Sequence, residues 1–295
     1  MPPERAEALA AAFAHCESAV READKDRWLA ALFAPEAMRP DLNALHAFNI
    51  EIASVRERVS EPLPGEVRLQ WWRDVLTGEG RGDVTGHPVA AAILDVIGRR
   101  NLAIKPLVDL IDARVFDLYD DPMPTVNDLE GYCGETSSAL MQIAALILAG
   151  GDDPGTADLA GHAGAAYAMT GLLRAFPLHA ARGQVFIPAD ILADSGVSRD
   201  DIVAGREGPG LSRALDAMRG LAEDHLAKAE VLAAAADPRT VAAFLPMAAA
   251  RLYLGRMDRL AAAPFRTSIE VAQWRRQWAL WRMARRFGRA GAIRQ

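Results

Sequence analysis

Two arginines and a histidine stand around a proline in the segment 170–188, TGLLRAFPLHAARGQVFIP. Arg174, His179 and Arg182 are potential cations, and Pro177 should end or kink the helix that carries them. A broken helix with three potential cations could bind an anion. The same residues could equally be arginines that extend to solvent and an ordinary half-buried histidine. The residues alone leave both interpretations open.

Polar residues also interrupt the segment 42–61, LNALHAFNIEIASVRERVSE. Its apolar residues recur at helical spacing and should form one buried stripe: Phe48, Ile52, Val55 and Val59. Polar residues flank the stripe: Asn49, Glu51, Ser54, Glu57 and Arg58. The pattern favours an amphipathic core helix with a solvated charged face.

A third polar segment, RVFDLYDDPMP, contains Asp117, Asp120 and Asp121. Clustered carboxylates suit magnesium ions that bridge phosphates. Pro122 and Pro124 place this cluster at a helix exit, where solvated acidic residues cost little. A surface turn is therefore the favoured interpretation, and a magnesium site is the alternative.

The segment 268–289 carries a tryptophan stripe. Trp274, Trp278 and Trp281 follow at i, i+4 and i+7 and so share one helical face. Arginines occupy the adjacent face: Arg275, Arg282, Arg286 and Arg289. Residues 266–295 contain eight arginines and one glutamate, giving +7, whereas the preceding 265 residues carry −13.

Such a helix could lie on an anionic bilayer, receive a partner protein or pack against its own domain. We expect peripheral membrane or partner docking through residues 268–289. Nucleic acid is not an expected partner, because the acidic remainder of the chain repels phosphate.

These segments should lie on helices of one all-α domain. Apolar residues recur at i, i+3 and i+4, and 51% of the 295 residues are hydrophobic, enough for a full core. The predicted helices cover 4–23, 25–34, 41–59, 65–77, 86–98, 101–119, 126–149, 155–176, 210–236, 239–262 and 268–288. Three helix starts have capping-box spacing: Thr125 with Asp128, Ser198 with Asp201, and Thr267 with Glu270. The one strand-like piece, 184–188, is too short for a sheet.

Several classes of protein are disfavoured. Cys16 and Cys133 stand far apart, without the spacing of a disulfide framework or a cysteine zinc site. The N-terminus lacks the basic leader of a secretory signal, and the longest uncharged stretch, 136–151, falls short of the roughly 20 residues that span a bilayer. We therefore expect a cytoplasmic protein, placed on the inner face of the membrane if it is peripheral.

Five segments together resemble the squalene/phytoene synthase family, head-to-head prenyl transferases with the all-α isoprenoid-synthase fold. They are ALHAFNIEIASVRE (44–57), LQWWRDVL (69–76), HPV (87–89), LEGYCGETSSALM (129–141) and AGAAYAMTGLLRAFPLHAARGQVFIP (163–188). The resemblance runs from about residue 25 to 260 and implies a helical bundle around a central cavity. We assign residues 1–265 to this domain and residues 266–295 to a basic C-terminal helix and tail.

In active members of that family, aspartates four apart on two facing helices bind magnesium ions that hold prenyl diphosphates. The matching positions in this sequence are Ala53, Ser54, Glu57, Ala175, Leu178 and His179. Only Glu57 carries a carboxylate, and His179 beside Arg174 and Arg182 would repel magnesium. The resemblance therefore implies no catalytic residue, no metal and no cofactor.

A subgroup shares these departures: the phytoene-synthase-like assembly factors for respiratory complex I and their bacterial homologues. The segments FNIEIASVRERVSE (48–61), the YxxxTSSxL pattern of 132–140 and LRAFPLH (173–179) indicate this subgroup. It implies a non-catalytic binding or assembly factor whose partners are complex I subunits or assembly intermediates.

The resemblance further implies a remnant cavity that binds a prenyl or phospholipid-like anionic ligand. We expect this cavity to be lined by Asn49, Glu57, Arg174, His179 and Arg182. The alternative is a magnesium-dependent prenyl-diphosphate transferase. It would use Glu57 with the Asp117, Asp120 and Asp121 cluster as substitute ligands.

Overall fold

A computed structural model describes residues 3–119, 121–257, 263–266 and 269–292. Within these ranges the chain forms sixteen α-helices and no β-strand. The first eight are α1 (Pro3–Ala23), α2 (Lys25–Ala31), α3 (Arg39–Ala53), α4 (Pro62–Thr77), α5 (Pro88–Arg100), α6 (Lys105–Val115), α7 (Val126–Cys133) and α8 (Ala139–Leu148). The others are α9 (Ala157–Arg174), α10 (Phe176–Ala181), α11 (Ala189–Ser195), α12 (Arg199–Val203), α13 (Pro209–Ala233), α14 (Val241–Phe244), α15 (Pro246–Met257) and α16 (Gln273–Ala292). The predicted all-α class is confirmed.

Helix α9 is the element around which the bundle is built. It packs along α13 and also contacts α8 and α15, while α1, α3 and α5 form a second packed group and α4 lies on α6. The apolar faces of these helices meet in one large core that includes Phe48, Trp72 and Phe244. The bundle thus holds α3, α9 and α10, the helices that carry Asn49, Arg174 and His179, in fixed positions.

A π-helical turn, Gly134–Ser138, joins α7 to α8, so the predicted helix 126–149 is one continuous but irregular element. Gly164 of α9 faces this turn, and a Cβ at residue 164 would overlap the backbone N and Cα of Ser138. The Ser138 hydroxyl donates a hydrogen bond to the Gly161 carbonyl at 2.8 Å. The close approach of α9 to the π turn therefore depends on glycine at position 164.

Two of the three predicted capping boxes are present, at Thr125 with Asp128 and at Ser198 with Asp201. The third prediction is wrong: α16 begins at Gln273, and Thr267 lies outside the described residues. The segment leading into α16 has no regular secondary structure, and its residues alternate in burial, with Ile269 and Val271 buried on either side of the exposed Glu270. Apolar residues that alternate in this way bury well without a helix.

Candidate functional site

A polar cavity of about 450 Å³ lies between α2, α9, α15 and the segment that leads into α16. Its walls carry three cations, Lys25, Arg174 and Arg276, and four carboxylates, Glu22, Asp24, Asp26 and Glu270. Two tyrosines, Tyr167 and Tyr253, complete the polar lining. We call this space the polar cavity. Its walls have no excess of positive charge.

Asp26 is the centre of the hydrogen-bond network in the polar cavity. Its buried carboxylate accepts hydrogen bonds from the Tyr253 hydroxyl at 3.0 Å and from Arg276 Nη1 at 2.9 Å. Burial and the nearby Asp26 charge raise the pKa of Tyr253 to about 12. Tyr253 therefore stays a neutral donor, and α16 is tied to α2 through Arg276.

Arg174 lies in the same cavity but is bound differently. Its guanidinium carbon lies 3.7 Å from the centre of the Tyr253 ring, a cation–π contact. Its Nε is buried without a hydrogen-bond partner, and no ion pair of Arg174 is seen among the described residues. Among the predicted cavity residues, Arg174 therefore lines the polar cavity with a positive charge that no described carboxylate neutralises, and this charge can bind a ligand.

The wall behind the cavity is formed by the start of α2. Asp24 caps this helix, accepting hydrogen bonds from the Arg27 backbone N–H at 3.0 Å and from Arg27 Nη1 at 2.7 Å. Burial alone would raise the pKa of Asp24, but the charge and hydrogen bonds of Arg27 outweigh it and hold that pKa below its ordinary value. Burial, with the nearby Arg27 charge, lowers the pKa of His46 to about 3. His46 is therefore neutral at physiological pH.

A second buried network joins α6, the turn after it and α7. Asp117 accepts a hydrogen bond from Arg114 Nη1 at 2.9 Å and another from the Tyr132 hydroxyl at 2.8 Å. Gln184 donates to the Asp117 backbone carbonyl at 3.0 Å. The prediction that Asp117 lies in a surface turn is wrong, because Arg114 one helical turn earlier supplies the charge that makes burial tolerable. Asp121 is exposed, and Asp120 lies outside the described residues.

The other predicted cavity residues do not line the polar cavity. His179 packs against Phe186 with 4.7 Å between ring centres, and burial lowers its pKa, an effect that the nearby Asp117 charge partly offsets. Arg182 Nη1 lies 3.2 Å from Glu57 Oε1 in a solvent-exposed ion pair. Asn49 is buried on α3, so its predicted place beside a solvated face is wrong. The predicted cationic cluster is divided: Arg174 lines the polar cavity, and His179 and Arg182 do not.

The residues present do not fit the magnesium ions that active members of the resembled family bind. Among the described residues, no three His, Cys, Asp or Glu side chains are grouped so that they could hold a metal ion. Glu57 is paired with Arg182, and Asp117 with Arg114 and Tyr132, so neither offers a carboxylate that is not already bound. A metal site built on Glu57 and the Asp117 segment has no support in this geometry.

Sequence reasoning missed most of the polar cavity. Asp24 and Asp26, near the N-terminus, and Tyr253 and Arg276 come from distant parts of the chain, and only Arg276 lies in a segment that was predicted to bind. The alternating charges of DKDRW at residues 24–28, just where α2 begins, were the available signal.

The tryptophans of α16 lie on the surface. Trp274, Trp278 and Trp281 are 64%, 54% and 40% exposed, so the interpretation in which they pack against their own domain is wrong. Leu280 and Phe287 make the buried face of this helix instead. The described helices include none that is both long and apolar enough to cross a membrane.

Comparison with known proteins identifies the relatives of this chain. A family model for squalene/phytoene synthase matches residues 20–282. Complex I assembly factor 6 of Rattus norvegicus is 29% identical over 256 residues, covering 87% of this chain and 77% of the rat protein. Its Drosophila melanogaster homologue is 30% identical, covering 83% and 75%. A dehydrosqualene synthase structure superimposes with a TM-score of 0.81 at 17% identity, covering 97% of this chain and 99% of that one.

Proposed function

Because this chain belongs to the squalene/phytoene synthase family, we propose that it keeps the family fold but acts by binding rather than by turnover. One observation carries the proposal: arginines of its polar core are paired with carboxylates of the chain itself. The pairs are Arg27 with Asp24, Arg114 with Asp117, and Arg276 with Asp26. Departure of a diphosphate needs concentrated positive charge at the leaving group. An arginine already neutralised by a buried carboxylate supplies little of it.

The named relatives support a role in the biogenesis of respiratory complex I. Proteins called complex I assembly factor 6 align with more than four fifths of this chain. We propose that the chain assists complex I assembly through contacts with complex I subunits or assembly intermediates.

The polar cavity is the proposed ligand site. Its charges favour a phospholipid-like ligand over a prenyl diphosphate. The four carboxylates on its walls outnumber the three cations, so a diphosphate with several negative charges would be repelled. A phosphodiester carries a single negative charge, which Arg174 can bind alone while Lys25 donates a hydrogen bond. We therefore propose a phospholipid-like ligand, with the prenyl diphosphate as the alternative.

The proposal predicts binding without chemistry. Purified protein incubated with farnesyl or geranylgeranyl diphosphate and magnesium should release no pyrophosphate above the rate without protein. Deletion of the gene in the source organism should lower the amount of assembled complex I, measured by in-gel NADH dehydrogenase activity. Pyrophosphate release that depends on the protein would contradict the first part, and unchanged complex I would contradict the second.

A second prediction concerns Arg174. Arg174→Ala should weaken the binding of short-chain phosphatidylglycerol, held below its micelle concentration, by about 10- to 100-fold, because a charge-assisted hydrogen bond is lost. Isothermal titration calorimetry measures this change. The affinity of Arg174→Lys should lie between those of the wild type and Arg174→Ala, since lysine keeps the positive charge.

Arg68→Ala is the matched control, because Arg68 is an exposed arginine that does not line the cavity, and this variant should bind like the wild type. Equal affinities of wild type and Arg174→Ala would remove Arg174 from the proposed site. Arg182→Ala should have the smaller effect, because Arg182 is exposed and already paired with Glu57. Tighter binding of farnesyl diphosphate than of the phospholipid would favour the alternative ligand.

A further inference from the structure

We propose that the outer surface of α16 docks the protein on an anionic lipid bilayer. We call this surface the docking face; it consists of Trp274, Trp278 and Trp281 with Arg275, Arg282, Arg285 and Arg286. The inference goes beyond the proposed function, because it concerns a surface outside the polar cavity and needs no ligand there.

The docking face is held outward by the packing of the opposite side of α16. Leu280 is fully buried in a small cluster with Leu29, Leu245 and Ala248, and Met283 packs on the same cluster. On the solvent side, the Trp278 and Trp281 rings stack with 4.9 Å between their centres. The buried side of the helix therefore fixes its rotation, and the three tryptophans stay largely exposed.

Arginines lie directly beside these rings. The Arg285 guanidinium lies 4.8 Å from the centre of the Trp281 ring, and Arg275 lies 5.2 Å from that of Trp274. Indole rings with adjacent cations suit the interface of a bilayer, where the ring reaches the acyl boundary and the cation meets the phosphates.

Charge indicates the sign of the lipid surface and the orientation of the protein. The sequence of α16, residues 273–292, contains no acidic residue, and residues 266–295 carry +7 against −13 for the rest of the chain. An anionic surface attracts the docking face and repels the body behind it, so only one orientation is favourable.

A groove next to the docking face offers space for apolar material. It has a volume of about 400 Å³ and runs beside Trp274 and Trp278, with Ala248, Leu252 and Met283 among its apolar walls. The Arg251–Glu230 ion pair, 2.5 Å between Nε and Oε1, lies at its edge. An acyl chain that leaves the bilayer beside the tryptophans could lie in this groove, where the apolar walls would shield it from water.

The test is co-sedimentation of the full chain with vesicles. We expect binding to vesicles of equimolar phosphatidylcholine and phosphatidylglycerol, and little binding to phosphatidylcholine alone. A variant with Trp274→Ser, Trp278→Ser and Trp281→Ser should bind the anionic vesicles at least about 10-fold more weakly. Arg282→Gln with Arg286→Gln should weaken binding about 30-fold, and high salt should weaken wild-type binding similarly.

Two matched controls separate the docking face from general surface effects. Leu63→Ser, Val67→Ser and Val231→Ser remove exposed apolar side chains elsewhere, and Arg68→Gln with Arg81→Gln removes exposed arginines elsewhere. Both should bind like the wild type. The affected residues are exposed, so all variants should keep the wild-type unfolding temperature.

Wild-type protein that fails to bind anionic vesicles would overturn the proposal and leave a protein partner as the occupant of this face. Binding that the tryptophan variant retains in full, or binding that is equal on neutral vesicles, would also overturn it. These outcomes are distinct from failure of the proposed function, because Arg174→Ala should bind vesicles like the wild type through its unchanged α16.

Discussion

Replacement of Gly164 by alanine should destabilise the protein by about 3 kcal/mol, measured as the change in free energy of unfolding in urea. The added methyl group would overlap the backbone of Ser138 in the π turn, and backbone atoms cannot move aside as a flexible side chain can. Helix α9 would have to move away from the π turn and α8, at the cost of apolar contacts in the centre of the core.

Gly161→Ala is the matched control on the same helix. Gly161 is exposed, and a Cβ there would meet no atom within 4 Å. Because alanine favours the helix over glycine, this change should stabilise the protein by about 0.5–1 kcal/mol. If both substitutions shifted stability in the same direction, the close approach of α9 to the π turn would not be the cause.

Asp117→Ala should be similarly damaging, with a loss of about 3–5 kcal/mol of unfolding free energy. The change leaves the Arg114 guanidinium buried beside Tyr132 without its carboxylate partner. Replacing both charged residues by apolar ones, Asp117→Leu with Arg114→Met, should restore part of the loss, since no unpaired charge then remains. Urea denaturation of the single and double variants measures both effects.

Asp121→Ala serves as the control from the same acidic segment, because Asp121 is exposed and should change stability by less than about 0.5 kcal/mol. Magnesium chloride distinguishes the structural role of Asp117 from a ligand role. We expect magnesium to leave the unfolding free energy of the wild type unchanged. A stabilisation by magnesium that disappears in Asp117→Ala would assign Asp117 to a metal site instead.

The fold could be predicted to a large extent because helical periodicity is repeated throughout the chain. The bounds of α1, the end of α4 and the capping boxes at Thr125 and Ser198 follow from local sequence. The π turn at Gly134–Ser138 could not be predicted, because no local pattern of residues marks it, and its contact with Gly164 of α9 exists only in the folded chain. Pro246 marks the break before α15. The predicted helix 239–262 ran through this proline and was therefore too long.

The site was harder to predict because its partners are distant in the chain. Arg174 could be identified from its motif, but Asp26 and Arg276, 250 residues apart, meet only in the folded protein. Asp117 illustrates the same difficulty: its prolines and acidic neighbours indicate a surface turn, while Tyr132 and Gln184 bury it. Patterns within one segment reveal which side chains are polar, and only the fold determines which of them neutralise each other.

Arg276 gives α16 a second role, since this helix presents indoles to the outside and one guanidinium to the interior. Because Asp26 holds Arg276 in the folded protein, the helix that carries the indoles also fixes one wall of the polar cavity. A shortened chain ending at residue 265 would lose both the lipid attachment and one side of the cavity. Removal of residues 266–295 should therefore alter the polar cavity as well as the surface of the protein.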